Sequence, residues 1–202
     1  MIQVAWAERY SRQILLPEVG GQGQGRLWDA GVGVLGSTPM AVVLLDTLAR
    51  SGIGRLGAAG LGGVPGQSGW YDLIGDRIGS GNRHTRFAGG PFLDVSPESL
   101  AQWAASWDTV VDTSGSLTVR SLLGHFCLAE GKRFLSGWVS QGDAWILSFR
   151  RLPDQPSPCP GVRHGSGQET RWSASPLNAL VPGLTAAVLA DEILSGLLGF
   201  GC

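Results

Sequence analysis

The sequence predicts an α/β protein built around a mostly parallel β-sheet with an antiparallel edge. Short apolar strands alternate with amphipathic helices through much of the chain, which is typical of parallel strands joined by crossover helices. Two later strands follow each other directly around Gln141 and Gly142, which indicates a hairpin at one edge of the sheet. The chain has 202 residues, so we expect residues 1–202 to form one domain.

Capping residues and apolar periodicity predict the individual elements. Thr38 is placed to cap a helix whose first turn holds Pro39, where a missing N–H group costs little. Gly52 ends that helix and a strand follows, which makes a βαβ unit with a right-handed crossover. The glycine-rich stretch Gly60–Gly81 is expected to be irregular, as is the loop Pro153–Gly167. The predicted helices are Trp6–Arg12, Gln22–Asp29, Thr38–Ser51, Ser96–Ala105, Leu117–Glu130 and Ala179–Phe200, and the predicted strands are Val32–Leu35, Arg55–Ala59, Thr85–Ala88, Thr109–Asp112, Phe134–Val139 and Ala144–Phe149.

Composition narrows the classes of function and partner. Fifteen basic and sixteen acidic residues give a net charge of −1, so no overall basic surface is available for nucleic acid. The apolar segment Ala179–Phe200 contains Pro182, Asp191 and Glu192, and we expect a buried or interface helix rather than a membrane span. The first residues lack a signal-peptide pattern, and the three cysteines are too few and too widely spaced for a disulfide framework. These features predict a cytoplasmic protein.

Five stretches, taken in order, resemble the ThiF/MoeB/HesA family, the bacterial relatives of ubiquitin-activating enzymes. The resemblance implies a Rossmann-like fold of the ThiF/MoeB type. It also implies a dimer whose N-terminal element is about residues 1–30. The family uses ATP and magnesium to adenylate the C-terminal glycine of a ubiquitin-like sulfur carrier. The stretches are "RYSRQILLPEVGGQGQGRL" (Arg9–Leu27), "SGIGRLG" (Ser51–Gly57), "WDTVVDTSGS" (Trp107–Ser116), "VRSLLGHFCLAEGKRFLSGWVSQGDAWILSF" (Val119–Phe149) and "PSPCP" (Pro156–Pro160).

The resemblance also places the family's glycine-rich phosphate turn on a segment unsuited to phosphate. On this chain the G-x-G-G-x-G turn falls on Gly36 to Ala41, where Gly36 is the one glycine kept. Pro39 removes an N–H donor, and the side chains of Thr38 and Met40 are expected in the space that phosphates need. Gly36 is therefore at most a remnant of a cofactor-binding turn.

Three further parts of the family's site are missing. The acidic residue that holds ribose hydroxyls is replaced by Gly60, and no lysine follows between Gly60 and Asn82. The magnesium-binding acidic position falls on Gly115 or Ser116, which leaves Asp112 as the nearest carboxylate and a second cofactor-site remnant. Four missing parts together predict that neither ATP nor magnesium is a cofactor of this chain.

Arg9 is the one candidate for a catalytic role. The resemblance implies that its counterpart reaches across a dimer to the ATP phosphates of the other subunit. Arg9 would then act in trans on an active relative. The alternative is a structural ion pair with Glu8 or Glu18.

The other reactive side chains predict no site. Cys159 and His164 make at most half of a zinc site, because tetrahedral zinc needs four ligands, and no metal is expected. Cys127 lies in an apolar stripe and is expected in the core, whereas Cys202 is expected to be exposed. Two tryptophans on the predicted hairpin, Trp138 and Trp145, are candidates for a partner surface.

These observations favour a catalytically degenerate family member. It would be a non-adenylating partner subunit or scaffold for an active relative, a ubiquitin-like carrier or a peptide substrate. The first alternative is an adenylyltransferase with a remodelled ATP and magnesium site using Arg77, Arg83 and Asp112. The second alternative is a precursor-peptide recognition module. In every case the expected partner is a protein or peptide, in a homodimer or a heterodimer, with neither nucleic acid nor membrane.

Overall fold

A computed structural model describes residues 4–62, 68–140, 143–149, 168–173 and 180–200. The strands are β1 (Gly31–Leu35), β2 (Arg55–Leu61), β3 (Arg86–Leu93), β4 (Thr109–Asp112), β5 (Arg133–Ser140), β6 (Asp143–Phe149) and β7 (Gln168–Ser173). The helices are α1 (Val4–Arg9), α2 (Ser11–Ile14), α3 (Gly20–Asp29), α4 (Pro39–Ser51), α5 (Ser68–Gly81), α6 (Pro97–Ala105), α7 (Leu117–Ala129) and α8 (Val181–Leu198).

The described strands form one seven-stranded sheet in the order β3-β2-β1-β4-β5-β6-β7. The first five strands run parallel, while β6 and β7 are antiparallel to their neighbours. This arrangement confirms the predicted fold class. Helices α4, α5 and α8 pack on one face of the sheet around Leu44, Ile74 and Leu189, and α6 and α7 cover the other face around Leu100 and Leu123.

Helix α8 is the one described helix that is long and apolar enough to cross a membrane. Leu189, Ala190 and Ile193 are nevertheless buried against the core that α4 and the sheet provide. Arg133, at the start of β5, donates a hydrogen bond to the carbonyl of Glu192 at 2.9 Å. These contacts favour a helix of the protein core, as the sequence predicts.

The prediction that Gly60–Gly81 is irregular was wrong, because most of it forms α5. Glycine is a poor helix former, costing about 1 kcal/mol relative to alanine at each interior position. Ile74 and Ile78 lie one turn apart and are both buried, and Trp70 packs beside the same core. Tertiary burial of one apolar face therefore outweighs the weak helix propensity.

Strand β7 was also not predicted. It pairs antiparallel with β6 from Ser148↔Gln168 to Asp143↔Ser173. The predicted hairpin turn at Gln141 and Gly142 and the predicted loop Pro153–Gly167 lie outside the described residues.

The N-terminal helices dock on the amino end of the sheet through Tyr10. Its ring is 1% exposed, and its hydroxyl accepts a hydrogen bond from Asn82 Nδ2 at 2.6 Å. Asn82 Nδ2 also lies 2.6 Å from the carbonyl of Ala49, near the end of α4. Trp6 packs edge-to-face on Tyr10 and on Trp28. This buried network fixes the segment that carries Arg9.

Candidate functional site

The strand order places the candidate site at the carboxyl ends of β1 and β4. These strands are direct neighbours, and the order of the sheet reverses between them. In open α/β sheets, ligands bind in the crevice outside the carboxyl ends of the strands at such a reversal. Here the crevice is bordered by the turn Gly36–Pro39 and by the segment Thr113–Ser116, and we call it the switch-point crevice.

The turn Gly36–Pro39 leads into a capped helix. Thr38 has extended backbone angles, and its Oγ1 accepts a hydrogen bond from Ala41 N at 3.2 Å. Pro39 is the first helical residue and has no N–H group. Of the first three helical positions, Met40 alone keeps an amide that this cap does not use. Phosphate groups bind a helix N-terminus through several free amides, so the turn is poorly suited to them.

Met40 lies in the core rather than in the crevice. Its side chain is 4% exposed and belongs to the apolar cluster that α4 forms with the sheet. Its Sδ lies beside Gly137 of β5, where an added β-carbon would meet it at 3.3 Å. The expectation that the Met40 side chain occupies phosphate space was therefore wrong, and the cap formed by Thr38 and Pro39 is the feature that opposes phosphate.

Gly36 is required by the packing of β1 against β4. Its φ is +121°, and a β-carbon added to it would lie 2.6 Å from Thr113 Oγ1 and 3.0 Å from Ser114 N. Thr113 is held there because its N–H donates to the carbonyl of Leu35 at 2.7 Å. Packing alone thus accounts for the glycine that the sequence offers as a cofactor-site remnant.

Asp112, the second candidate remnant, is fully buried at the end of β4. Its Oδ1 accepts hydrogen bonds from Ser114 N at 2.9 Å and Ser114 Oγ at 2.6 Å, and its Oδ2 accepts one from Ser136 Oγ at 2.9 Å. Burial raises the pKa of Asp112, while these hydrogen bonds and the nearby Arg120 oppose the rise.

Both oxygens of Asp112 are thus engaged within the chain and shielded from solvent. In this arrangement the residue does not fit the role of a magnesium ligand, which needs an oxygen free to face the ion. The part of the chain that the structure describes holds no group of three or more His, Cys, Asp or Glu side chains suited to a metal.

Arg120 connects Asp112 to the hairpin formed by β5 and β6. Its Nε donates to Ser136 Oγ at 2.9 Å and lies 3.9 Å from Asp112 Oδ2. Its guanidinium lies over the ring of Trp138, 3.5 Å from the ring centroid. Trp138 pairs directly with Trp145 across the two strands, and their rings stack with centroids 5.8 Å apart. Trp138 and Trp145 are therefore part of a connected polar and aromatic cluster.

Sequence reasoning missed Arg120 and Ser136 as members of this cluster. Arg120 follows the helix cap Ser116 by four residues, and Ser136 lies in the middle of β5, directly after Phe134 and Leu135. A buried strand with a polar residue needs a hydrogen-bond partner for it, and an arginine one turn into the preceding helix can supply one. That combination is the sequence signal for the bond between Arg120 and Ser136. The partner-surface role of Trp138 and Trp145 stays a prediction.

Arg9 lies at the end of the sheet opposite the crevice. It donates a hydrogen bond to the carbonyl of Gly81, where α5 ends, and its guanidinium is 5.8 Å from the centre of the Tyr10 ring. Within the described residues no ion pair joins Arg9 to Glu8 or Glu18. Arg9 therefore does not serve the crevice of its own chain, and its role in trans stays a prediction.

The arginines considered for a rebuilt nucleotide site do not converge on Asp112. Arg77 Nη2 lies 3.4 Å from Asp46 Oδ2, which joins α5 to the middle of α4. Arg83 is exposed between α5 and the start of β3, at the amino end of the sheet. Asp112 stands at the carboxyl end of β4, so these three residues do not form one site.

Cys127 is a core residue, as predicted. It is buried, and burial raises the pKa of its thiol to about 12. Cys159, His164 and Cys202 lie outside the described residues.

Comparison with known proteins identifies relatives of this chain. No family model matches it. The sulfur carrier protein adenylyltransferase of Thermus thermophilus is 26% identical, over 96% of this chain and 79% of that protein. The adenylyltransferase and sulfurtransferase MOCS3 of Mus musculus is 30% identical, over 96% of this chain and 45% of that protein. The chain thus spans less than half the length of this second relative.

Solved structures share the fold. A crystal structure of MccB from E. coli with succinimide matches 96% of this chain and 64% of its own, with a TM-score of 0.74 and 15% identity. The crystal structure of PaaA matches 99% of this chain and 68% of its own, with a TM-score of 0.70 and 16% identity. At these identities the likeness establishes the architecture.

Proposed function

Because this chain belongs to the ThiF/MoeB family, we propose that it binds a protein or peptide partner without adenylating it on its own. The partner is an active relative, a ubiquitin-like carrier or a peptide substrate. The relatives support a protein partner in general, since the name of one includes a sulfur carrier protein. The net charge of −1 argues against a nucleic-acid surface, and the buried face of α8 argues against a membrane span. The proposal includes a cytoplasmic location.

One observation carries the proposal. The helix that would receive phosphate begins with Thr38 bonded to Ala41 N and with Pro39 at its first position. Of the first three helical positions, this leaves only the Met40 amide for a triphosphate, which needs several donors. The buried carboxylate of Asp112 adds support, because neither of its oxygens is available for magnesium.

The second candidate is an ATP-dependent adenylyltransferase with a remodelled site. The names of the relatives favour this candidate, since several are described as adenylyltransferases or activating enzymes. It requires the Thr38 cap to open and other residues to take the place of Asp112. Arg77 would have to leave Asp46 to contribute.

ATP–pyrophosphate exchange separates the two candidates. The purified chain is mixed with ATP, magnesium and labelled pyrophosphate, with and without a ubiquitin-like carrier, and the Thermus relative is the positive control. We expect no exchange by this chain and no ATP binding in calorimetric titration. Exchange above the no-enzyme background, or a micromolar dissociation constant for ATP, would establish the second candidate instead.

A variant tests whether the turn alone would prevent ATP binding. Thr38→Gly with Pro39→Gly places glycines at two of the positions where the family's turn has them, and we expect this variant to remain unable to bind ATP. The reason is that the acidic residue, the lysine and the magnesium ligand are still missing. Binding restored by these two changes alone would show that the turn was the one defect.

A further inference from the structure

Two aromatic rings meet at the carboxyl end of β2, on the side of the crevice away from β4. Ala59 pairs with Leu35, the last residue of β1. Gly60 is the next residue of β2, and it pairs with Phe92 of β3. Tyr71 of α5 reaches the same place, and its ring centroid is 5.4 Å from that of Phe92. Both side chains are half-buried, and Gly60 between them is buried.

The rings leave no room for a side chain at position 60. A β-carbon added to Gly60 would clash with Cε1 of Phe92 and would lie 2.9 Å from the Tyr71 hydroxyl. Tyr71 is itself held in place, because it packs edge-to-face on Trp70 and lies against Gly89, where an added β-carbon would meet Tyr71 Cβ at 3.2 Å. The positions of the two rings therefore require a glycine at position 60.

We propose that Tyr71 and Phe92 determine what the switch-point crevice accepts, by filling the space where a nucleoside sugar would lie. In doubly wound sheets an acidic residue near this strand end bonds the ribose hydroxyls, and the sugar rests beside it. Here the acidic side chain is absent, and the volume next to its position holds the chain's own rings. The inference rests on the proposed function and deepens it, because it attributes the exclusion of nucleosides to side chains that pack in the folded protein.

This exclusion is independent of the capped turn. Thr38 and Pro39 oppose the phosphates of a nucleotide, while Tyr71 and Phe92 oppose its sugar. The two features lie on different elements, the start of α4 for the first and α5 with β3 for the second, and they respond to different substitutions. Repair of either one alone would leave the other in place.

A double-mutant cycle in the full-length chain tests the packing. Gly60→Ala should lower the unfolding temperature by roughly 2–10 °C, because overpacking is destabilising and this is a chain of about 200 residues. Phe92→Leu shortens the opposing ring, so the further loss caused by Gly60→Ala in that background should be less than half as large. Gly79→Ala is the matched control, since a β-carbon there meets nothing within 4 Å and the helix should tolerate it.

The outcomes bear on the rings and on the proposed function separately. An unfolding temperature of Gly60→Ala within 1 °C of wild type, or an equal loss in both backgrounds, would overturn the role of Phe92. If Gly60→Ala does not fold but Gly60→Ala/Phe92→Leu does, the proposal is supported. ATP–pyrophosphate exchange by the wild-type chain decides the proposed function without reference to these temperatures.

A binding arm uses adenosine as the probe, observed by saturation-transfer NMR. We expect no transfer from wild-type protein and clear transfer from the folded Tyr71→Ala/Phe92→Ala variant. Equal transfer from both proteins would mean that the rings exclude nothing. No transfer from the folded double variant would also overturn the proposal.

Discussion

The guanidinium of Arg120 lies 3.5 Å from the centre of the Trp138 ring while its Nε bonds Ser136. One side chain therefore serves as an ion-pair partner for the buried Asp112 and as a planar cation on an aromatic face. It links the carboxyl end of β4 to the hairpin beyond it, so the geometry of the crevice wall depends on it.

Arg120→Ala should lower the free energy of unfolding by about 3 kcal/mol, because it leaves a buried carboxylate without its cation. Arg120→Lys keeps the charge but not the planar stacking on Trp138, so it should recover part of the loss. Urea denaturation monitored by circular dichroism measures both variants. A loss below about 1 kcal/mol for Arg120→Ala would show that Ser114 and Ser136 alone satisfy Asp112.

Thr38→Ala should cost about 1 kcal/mol of stability, because the amide of Ala41 loses its cap. Thr38→Ser keeps the hydroxyl and should be close to wild type. Ser37→Ala is the control, since Ser37 is exposed and precedes the cap. The measurement is again urea denaturation, and equal stabilities for Thr38→Ala and Ser37→Ala would refute the capping role.

Asp112 should make the protein lose stability as the pH rises. Its pKa in the folded state lies above the ordinary value because of burial. The folded state therefore binds the proton more tightly than the unfolded state does. This contribution is fully present below the unfolded pKa of about 4 and is lost as the pH rises through the folded pKa.

Asp112→Asn removes the titration. The unfolding free energy of wild type minus that of Asp112→Asn should therefore fall as the pH is raised from about 4. Urea midpoints of both proteins across that pH range supply the test. A difference that stays constant, or that grows with pH, would contradict the assigned direction.

Arg9→Ala should slow adenylation by an active partner on the order of a hundredfold if Arg9 supplies charge to the partner's phosphates. Pyrophosphate exchange by the reconstituted mixed complex is the readout, and size-exclusion chromatography confirms assembly. Arg12→Ala is the comparison variant, since Arg12 is exposed on the same segment.

Unchanged exchange by an intact Arg9→Ala complex would leave Arg9 as a residue that bonds the end of α5 through Gly81. An effect confined to Arg12→Ala would transfer the role to Arg12.

The chain should form a dimer, with itself or with a relative. Leu15 is 81% exposed and Leu16 is 50% exposed, within the N-terminal element that the family resemblance assigns to the dimer. Sedimentation equilibrium at micromolar concentrations should show the dimer, and Leu15→Glu/Leu16→Glu should convert it to monomer. A monomeric wild type with no co-purifying partner would contradict this prediction.

The fold could be predicted from the sequence where local signals such as caps agree with burial. The prediction failed where local signals and burial conflict. Thr38, Pro39 and Gly52 mark the bounds of α4 closely, because caps act over a few residues. Helix α5 was missed because its glycines argue against a helix, whereas the burial of Ile74 and Ile78 decides in favour of one. Helix propensity depends on neighbouring residues in the sequence, whereas the core that overrides it is built from residues far apart in the sequence.

The candidate site was predictable in location but not in content. Asp112 was identified as the carboxylate nearest to the family's magnesium position, yet its contacts with Ser136 and Arg120 involve residues of later elements. The rings of Tyr71 and Phe92 beside Gly60 come from α5 and β3, so their contact likewise depends on the tertiary structure. A sequence shows which ligand groups are missing; it does not show what fills their place.

Gly36 bears on how such chains can be traced through evolution. Any larger residue there would collide with Thr113 and the amide of Ser114, so the folded sheet requires this glycine whether or not a nucleotide binds. Its presence therefore reports a constraint on the architecture and carries no information about adenylation. Positions that would contact a ligand and nothing else carry no such constraint, so those are the positions that can report on chemistry.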